Sequence, residues 1–179
     1  MVSLTSHGRN MKSVTTVRIV PKLLPNEVES FLTEPGRLVR LATVDADGAP
    51  RIVPIWFVYE EQRIWITPRE RSAWWPNVQR DPRVAAVIDE EPTPYRKVLV
   101  RGAIDIVHGL GEDDAWRDRY RRIAMRYVPE EAADAYLTTT HDEPRALLAL
   151  DCDPSAVTTW RMPLPGEDPK GIWAARYYH

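Results

Sequence analysis

Between Leu38 and Val107 the chain runs through five apolar segments linked mostly by turns, with room for one short helix among them. That order decides the fold class. LVRLATV (38–44) reads as a strand, and Asp45-Ala46-Asp47-Gly48 carries the Asp-Gly signal of a tight hairpin. RIVPIWFVY (51–59) is the second strand, Glu60-Glu61-Gln62 the turn after it, and RIWIT (63–67) the third. A short helix is predicted over 72–80, closed by Asp81-Pro82, because the residue before a proline is pushed out of the α region. VAAVID (84–89) and VLVRGAIDIV (98–107) are two more strands, joined by the loop Glu91-Pro92-Thr93-Pro94. Pro54 falls inside the second strand and removes one ladder donor, so that strand is predicted at a sheet edge or at a bulge. A doubly wound parallel sheet needs a helix between nearly every pair of strands, and this order excludes it.

Helices flank the strand block. Pro25 takes a first helical position and Pro35-Gly36 stops the helix, with Val28, Phe31 and Leu32 as its apolar stripe. A second amphipathic helix is predicted over 112–127, with Trp116, Tyr120, Ile123, Ala124 and Tyr127 on one face. A third starts at Pro129, and 146–150 and 156–160 read as the last strands. The sum is a mainly β, α+β chain: an antiparallel barrel of six to seven strands with helices packed at its openings. Residues 1–20 lack apolar periodicity and are expected to form a flexible tail, with 21–179 as one domain. Whether Met1 or Met11 starts the chain stays open.

Charge and cysteine content narrow the partners. Lys and Arg number 24 against 26 Asp and Glu, a net charge of −2. A generic nucleic-acid coat would be strongly basic, so none is expected. One cysteine, Cys152, rules out an internal disulfide and multi-cysteine zinc sites, and the four histidines show no ligand spacing. No metal is expected. Without an apolar run of about 18 residues or a leader-like apolar N-terminus, neither a membrane span nor secretion is expected, and the cytoplasm is the expected compartment. Glycine-rich phosphate loops and the G-x-S-x-G nucleophile turn are absent. Cys152 reads as a small packed residue, and His108 as a structural one. Seven Trp and seven Tyr against two Phe suit either a site that stacks a flat ligand or a core or dimer interface.

The ordered pieces RIVPIWFVY, RIWITPRERSAWWPNVQRDPRVAAVIDEE and PYRKVLVRGAIDIV resemble the split-barrel flavin-binding superfamily typified by pyridoxamine 5′-phosphate oxidase. They look closest to its short deazaflavin-dependent members. The resemblance spans roughly residues 25–160. It implies that the second strand runs under a flavin-type ring, with Arg51, Ile52, Val53, Pro54 and Ile55 offering backbone groups to its polar edge. Pro54 independently calls for irregular pairing there, and freed backbone groups need another partner. Ile66 and Thr67 resemble the point where a hydroxyl reaches the ring or ribityl chain. The phosphate is expected after that strand, where the family usually follows Ser or Gly with Arg and Lys. Here Ser72 matches, Ala73 and Trp74 replace the cations, and Arg69 and Arg71 lie just upstream as substitutes. Trp74 either packs over a flat ligand or is buried. Trp173 and Arg176 resemble C-terminal residues that some members lend to a partner's site, and a homodimer is implied.

The function implied is hydride transfer between a bound FMN, or alternatively an 8-hydroxy-5-deazaflavin coenzyme, and a small organic substrate. Chemistry of this kind needs no dedicated acid–base constellation. Catalytic residues are therefore unassigned, with Tyr95 and Tyr120 as candidate proton donors. The alternative is a carrier of flavin, deazaflavin or haem, or a member that has lost its cofactor through the altered phosphate segment.

Overall fold

The computed structural model describes residues 22–167. The Asp-Gly hairpin forms as its sequence dictates: β1 (Val39–Val44) turns into β2 (Pro50–Ile55), in antiparallel register from Val39 opposite Ile55 to Val44 opposite Pro50. Gly48 has φ +88°, and its N–H donates to the Asp45 carbonyl at 3.0 Å. Only glycine takes that conformation without strain.

The chain continues through β3 (Val58–Glu60), β4 (Arg63–Ile66), α2 (Trp75–Arg80), β5 (Arg83–Asp89), β6 (Lys97–His108), β7 (Leu147–Asp151) and β8 (Val157–Trp160). The strand order is β2-β1-β5-β6-β7-β4-β3, antiparallel throughout, with β8 also on β6. Eight strands stand where six to seven were expected, because the segment 51–59 is two strands and not one. β2 and β3 sit at opposite ends of the order, yet only Trp56 and Phe57 separate them in sequence. Three residue steps span at most about 10 Å, so the sheet must curl until its two edges nearly meet. This seam makes the fold a split barrel. It forms at Phe57 because the Phe57 N–H donates to the Tyr127 hydroxyl at 3.0 Å, and Phe57 itself is fully buried.

β6 serves both halves of the sheet. Lys97 to Ala103 pair with β5 and the first four of these also with β8, whereas Ile104 to His108 pair with β7. At the crossover, a Cβ on Gly102 would lie 3.1 Å from Leu150 Cδ1, so the two halves pack closely there.

Two cores lie on either side of the β4–β7 layer. Ile64, Ile66, Leu148 and Leu150 face the barrel interior, with Phe31, Leu41, Phe57, Val78 and Val100. Trp65, Leu147 and Ala149 face a second cluster with Trp116, Tyr120, Ile123, Ala133 and Leu137. A strand covered on both faces loses the polar alternation of a half-buried one, as the run Leu147–Leu150 does.

The flanking helices are shorter than the sequence suggested. α1 (Pro25–Thr33) buries Phe31 and Leu32 as expected. Arg126 donates to the Leu32 and Glu34 carbonyls at 2.8 and 2.6 Å, satisfying acceptors that the helix end leaves open. The predicted helix 112–127 divides into a 3-10 turn, Asp113–Ala115, and α3 (Arg117–Met125), with Trp116 at φ −138° between them. Asp113 accepts the Arg145 N–H at 3.0 Å, which ties that turn to the segment entering β7. α4 (Glu130–Thr139) follows. Helix α2 begins at Trp75 and not at Ser72, because Ser72 is used in the turn before it.

An ion-pair knot fastens α1 to the β5–β6 loop. Glu90 accepts from Arg96 at 2.7 and 2.8 Å and from Arg37 at 2.9 Å, and its side chain is only 5% exposed. The Arg96 hydrogen bonds outweigh burial and hold its carboxyl down at about 2. A carboxyl with a depressed folded value contributes stability that is complete above its ordinary range and is lost as pH falls toward the folded value. Glu90→Gln is therefore expected to cost about 2 kcal/mol at neutral pH. Its acid-unfolding curve should also lie closer to that of the native chain at pH about 2 than at pH 6. A constant gap across that range would show that Glu90 carries none of the acid sensitivity.

Candidate functional site

The seam gathers the residues that the sequence points to. β2 pairs with β1 alone among the described residues, so the backbone groups on its outer edge have no ladder partner. The edge position expected from Pro54 is thus observed, with regular register and no bulge. Along β2, Ile52 and Pro54 are exposed while Arg51, Val53 and Ile55 are half-buried. Ile52 is 68% exposed, a large apolar side chain left uncovered.

Arg51 is occupied locally. Its guanidinium grips Asp45 with two hydrogen bonds of 2.7 Å, and Asn77 of α2 donates to the same carboxylate at 2.6 Å and to Thr43 at 3.1 Å. The Arg51 and Asn77 hydrogen bonds keep the Asp45 carboxyl below its usual range. This clamp fixes α2 over the hairpin, so α2 and β2 hold a constant relation. Sequence reading named Arg51 but missed Asp45, Thr43 and Asn77. The Asp-Gly turn signal accounted for Asp45 without its second role.

Ile66 is buried at the end of β4, and Thr67 follows it half-buried, with no hydrogen bond from its hydroxyl among the described residues. Arg69 makes an isolated bridge to Arg145 and points its guanidinium at the Tyr136 hydroxyl, 2.7 Å away, and at Glu143, 3.1 Å away. The Ser72 hydroxyl accepts the Arg69 N–H at 3.0 Å. Arg71 is exposed and has no ion pair or side-chain hydrogen bond among the described residues. Trp74 is 5% exposed and packs with Trp75 and Val78 in the barrel core. Of the expected anion ligands, then, Arg71 is uncommitted, Arg69 and Ser72 are held by other groups, and Trp74 faces the core. Trp173 and Arg176 lie outside the described residues.

A second constellation went unread in the sequence. Trp56, at the seam, stacks on Tyr127 with ring centroids 4.9 Å apart and planes 4° from parallel. It also meets the edge of Tyr136 at 5.7 Å. Tyr136 stands 6.2 Å from Tyr120, which stands 6.1 Å from Trp116. Arg145, 5% exposed, lies 4.4 Å over the Tyr120 ring and donates to the Tyr136 hydroxyl at 3.1 Å. Tyr120 and Tyr127 appeared in the sequence as one helical stripe, whereas Trp56 was hidden in an uninterrupted apolar run.

Of the two tyrosines named as proton donors, Tyr95 sits exposed in the β5–β6 loop, and Tyr120 is buried with its phenol pushed well up by that burial. Burial likewise raises the Cys152 thiol to about 12, which makes it a packed residue and a poor nucleophile. No group of three or more His, Cys, Asp or Glu among the described residues could hold a metal ion. No described helix is long and apolar enough to cross a membrane. A cleft of about 640 Å³ beneath α1, lined by Tyr59, Gln62, Cys152 and Thr159, includes none of the residues expected to hold a cofactor.

Comparison with known proteins agrees with the split-barrel fold. The sequence profile of the family described as pyridoxamine 5′-phosphate oxidase matches residues 24–161. A 5a,11a-dehydrotetracycline/5a,11a-dehydrooxytetracycline reductase of Streptomyces rimosus is 42% identical over 71 residues, 35% of this chain and 50% of that protein. The chain thus matches half the length of this curated relative. Among solved structures, a conserved hypothetical protein of Mycobacterium tuberculosis superposes with a TM-score of 0.65 at 22% identity, over 82% of this chain and 90% of that one. An F420 reductase superposes with a TM-score of 0.53 at 23% identity, over 73% and 94%. These structural likenesses carry the fold.

Proposed function

Because the chain belongs to the pyridoxamine 5′-phosphate oxidase family, we propose that it is an oxidoreductase that uses FMN or a deazaflavin coenzyme to reduce a small organic acceptor. The observation that carries this reading is the unpaired outer edge of β2 beside the seam. Backbone N–H and C=O groups without a ladder partner match the alternating acceptors and donors of a pyrimidine edge. Val53, Pro54 and Ile55 would bind that edge, and exposed Ile52 offers an apolar contact to the ring or to a second copy in a homodimer. Thr67, whose hydroxyl makes no hydrogen bond among the described residues, would meet the ribityl chain. Arg71 would hold the phosphate end, with Arg69 as a second cation already steadied by Tyr136 and Glu143.

The bound cofactor would supply the hydride. The chain's own residues orient it, exclude water and present the acceptor. The partial likeness to a reductase whose name specifies a dehydrotetracycline supports a polarised C=C or C=O as the group reduced. The carrier reading keeps one specific observation on its side: buried Trp74 stands where the family usually places a phosphate-binding cation.

Absorbance and fluorescence of the purified protein, then titration with FMN and with the deazaflavin at identical salt, separate these readings. Micromolar or tighter binding of one of them is expected, on the scale of about −8 kcal/mol. Failure of both would overturn the oxidoreductase reading while leaving the fold intact.

A further inference from the structure

Two guanidiniums converge on one phenol oxygen at the seam. Arg69 and Arg145 donate to the Tyr136 hydroxyl at 2.7 and 3.1 Å, from the loop after β4 and the segment before β7. A phenol oxygen that accepts two charge-assisted hydrogen bonds has its lone pairs engaged, and both bonds strengthen when it gives up its proton. Arg145 adds a second pressure. It is 5% exposed, and among the described residues no carboxylate lies within ion-pair distance of its guanidinium and its buried Nε has no partner. A buried cation without a counter-charge is costly, and the Tyr136 oxygen, 3.1 Å from the guanidinium, is placed to provide one. The neighbouring Tyr120 hydroxyl is buried and has no hydrogen-bond partner among the described residues, its ring 6.2 Å from that of Tyr136.

We propose that Tyr136 is the proton-exchanging residue of this site, an activated phenol set between Arg69 and Arg145 and reaching the cofactor strand through Trp56. The inference deepens the oxidoreductase reading and rests on it for the identity of the hydride donor. A bound reduced flavin or deazaflavin would supply the hydride to one atom of the acceptor's double bond, and the Tyr136 O–H would give its proton to the other. The π bond is lost and two σ bonds to hydrogen form. The phenolate left behind is held by the two guanidiniums and regains its proton from water. Tyr136 is partly exposed, so that exchange has a path, whereas Tyr120 behind it is closed off.

The other charged groups here do not cancel this arrangement. Glu143 pairs with the far side of Arg69 at 3.1 Å, and Asp113 accepts only the Arg145 backbone N–H. Burial raises the Tyr136 phenol. The adjacent Tyr120 hydroxyl, the Arg69 hydrogen bond and the positive charges of Arg145 and Arg69 outweigh it and leave Tyr136 below the ordinary phenol value.

A pH titration of tyrosinate absorbance on the cofactor-free protein tests the phenol directly. Of the chain's seven tyrosines, one should ionise before the rest. Tyr136→Phe should delete that first step, and Arg69→Met should move it upward, with Arg69→Lys restoring part of the shift. Arg69 is partly exposed, so these variants keep the test valid if Arg145 substitutions fail to fold. An identical early step in Tyr136→Phe would overturn the inference. In the reduced, cofactor-loaded enzyme, reoxidation by menadione should slow at least about tenfold in Tyr136→Phe with the cofactor still bound. An unchanged rate would remove Tyr136 from the chemistry. Failure to bind either cofactor would instead refute the oxidoreductase reading, because the titration is read without it.

Discussion

Replacing Arg71 with Glu is expected to weaken FMN or deazaflavin binding at least about tenfold while leaving the melting midpoint unchanged. The two halves of that expectation have separate causes. Arg71 is exposed and makes no ion pair or side-chain hydrogen bond among the described residues, so the fold loses nothing with it. The other two site arginines are committed: Arg51 to Asp45, and Arg69 to Tyr136 and Glu143. A phosphate arriving here therefore finds one cation with no competing partner. Reversing its charge at about 6 Å from a phosphate, at an effective dielectric near 40, changes the interaction by roughly 3 kcal/mol before salt screening. That leaves room for a tenfold effect, about 1.4 kcal/mol. Isothermal titration at low and at high salt provides the check, and the deficit should narrow as salt rises. An unaltered affinity at low salt would place the anionic end of the cofactor away from this loop.

The largest loss of stability should come from Phe57→Ala, about 3 to 5 kcal/mol, with the melting midpoint lowered by roughly 10 °C. Phe57 has no exposed surface, and the Arg126 guanidinium lies 4.4 Å over its ring. Its N–H is taken by the Tyr127 hydroxyl, which in turn donates to the Arg37 carbonyl at 2.6 Å. Truncation leaves a cavity at the one place where the two sheet edges are joined by the chain, and frees Trp56 and Tyr127 to move. Phe31→Ala removes an equally buried ring from α1 without touching the seam. The two variants should therefore lose similar stability, and Phe57→Ala should lose more cofactor affinity. Equal affinities would mean that the seam does not shape the site. Urea unfolding and cofactor titration of the same samples supply both comparisons.

Local patterns carried the sequence reading a long way. The Asp-Gly hairpin, the edge position required by Pro54, the stripe Phe31-Leu32 and the strands around Val84 and Val98 all follow from turn chemistry and periodicity, and all are present. The break at Trp56-Phe57 was illegible because nothing in RIVPIWFVY marks it. The cause is a hydroxyl 70 positions away that takes the Phe57 N–H. Tyr136 was missed for the same reason. Its environment is made by Arg69 and Arg145, which lie 67 and 9 positions from it. The basic residues of the phosphate segment were legible as residue types, but which of them is already paired depends on contacts with Asp45, Tyr136 and Glu143.

The shared strand β6 has a consequence for how the molecule opens. Its first half is held by β5 and β8 and its second by β7. Peeling either half-sheet away strips partners from a backbone on which the other half also depends. Native-state hydrogen exchange should accordingly find the amides around Val98, Val100 and Ile104 among the slowest in the chain, exchanging through one common opening. The two halves of the barrel would then melt as a single cooperative unit, and the β2 edge proposed to take the cofactor, separated from β6 by β1 and β5, would be lost only with the whole.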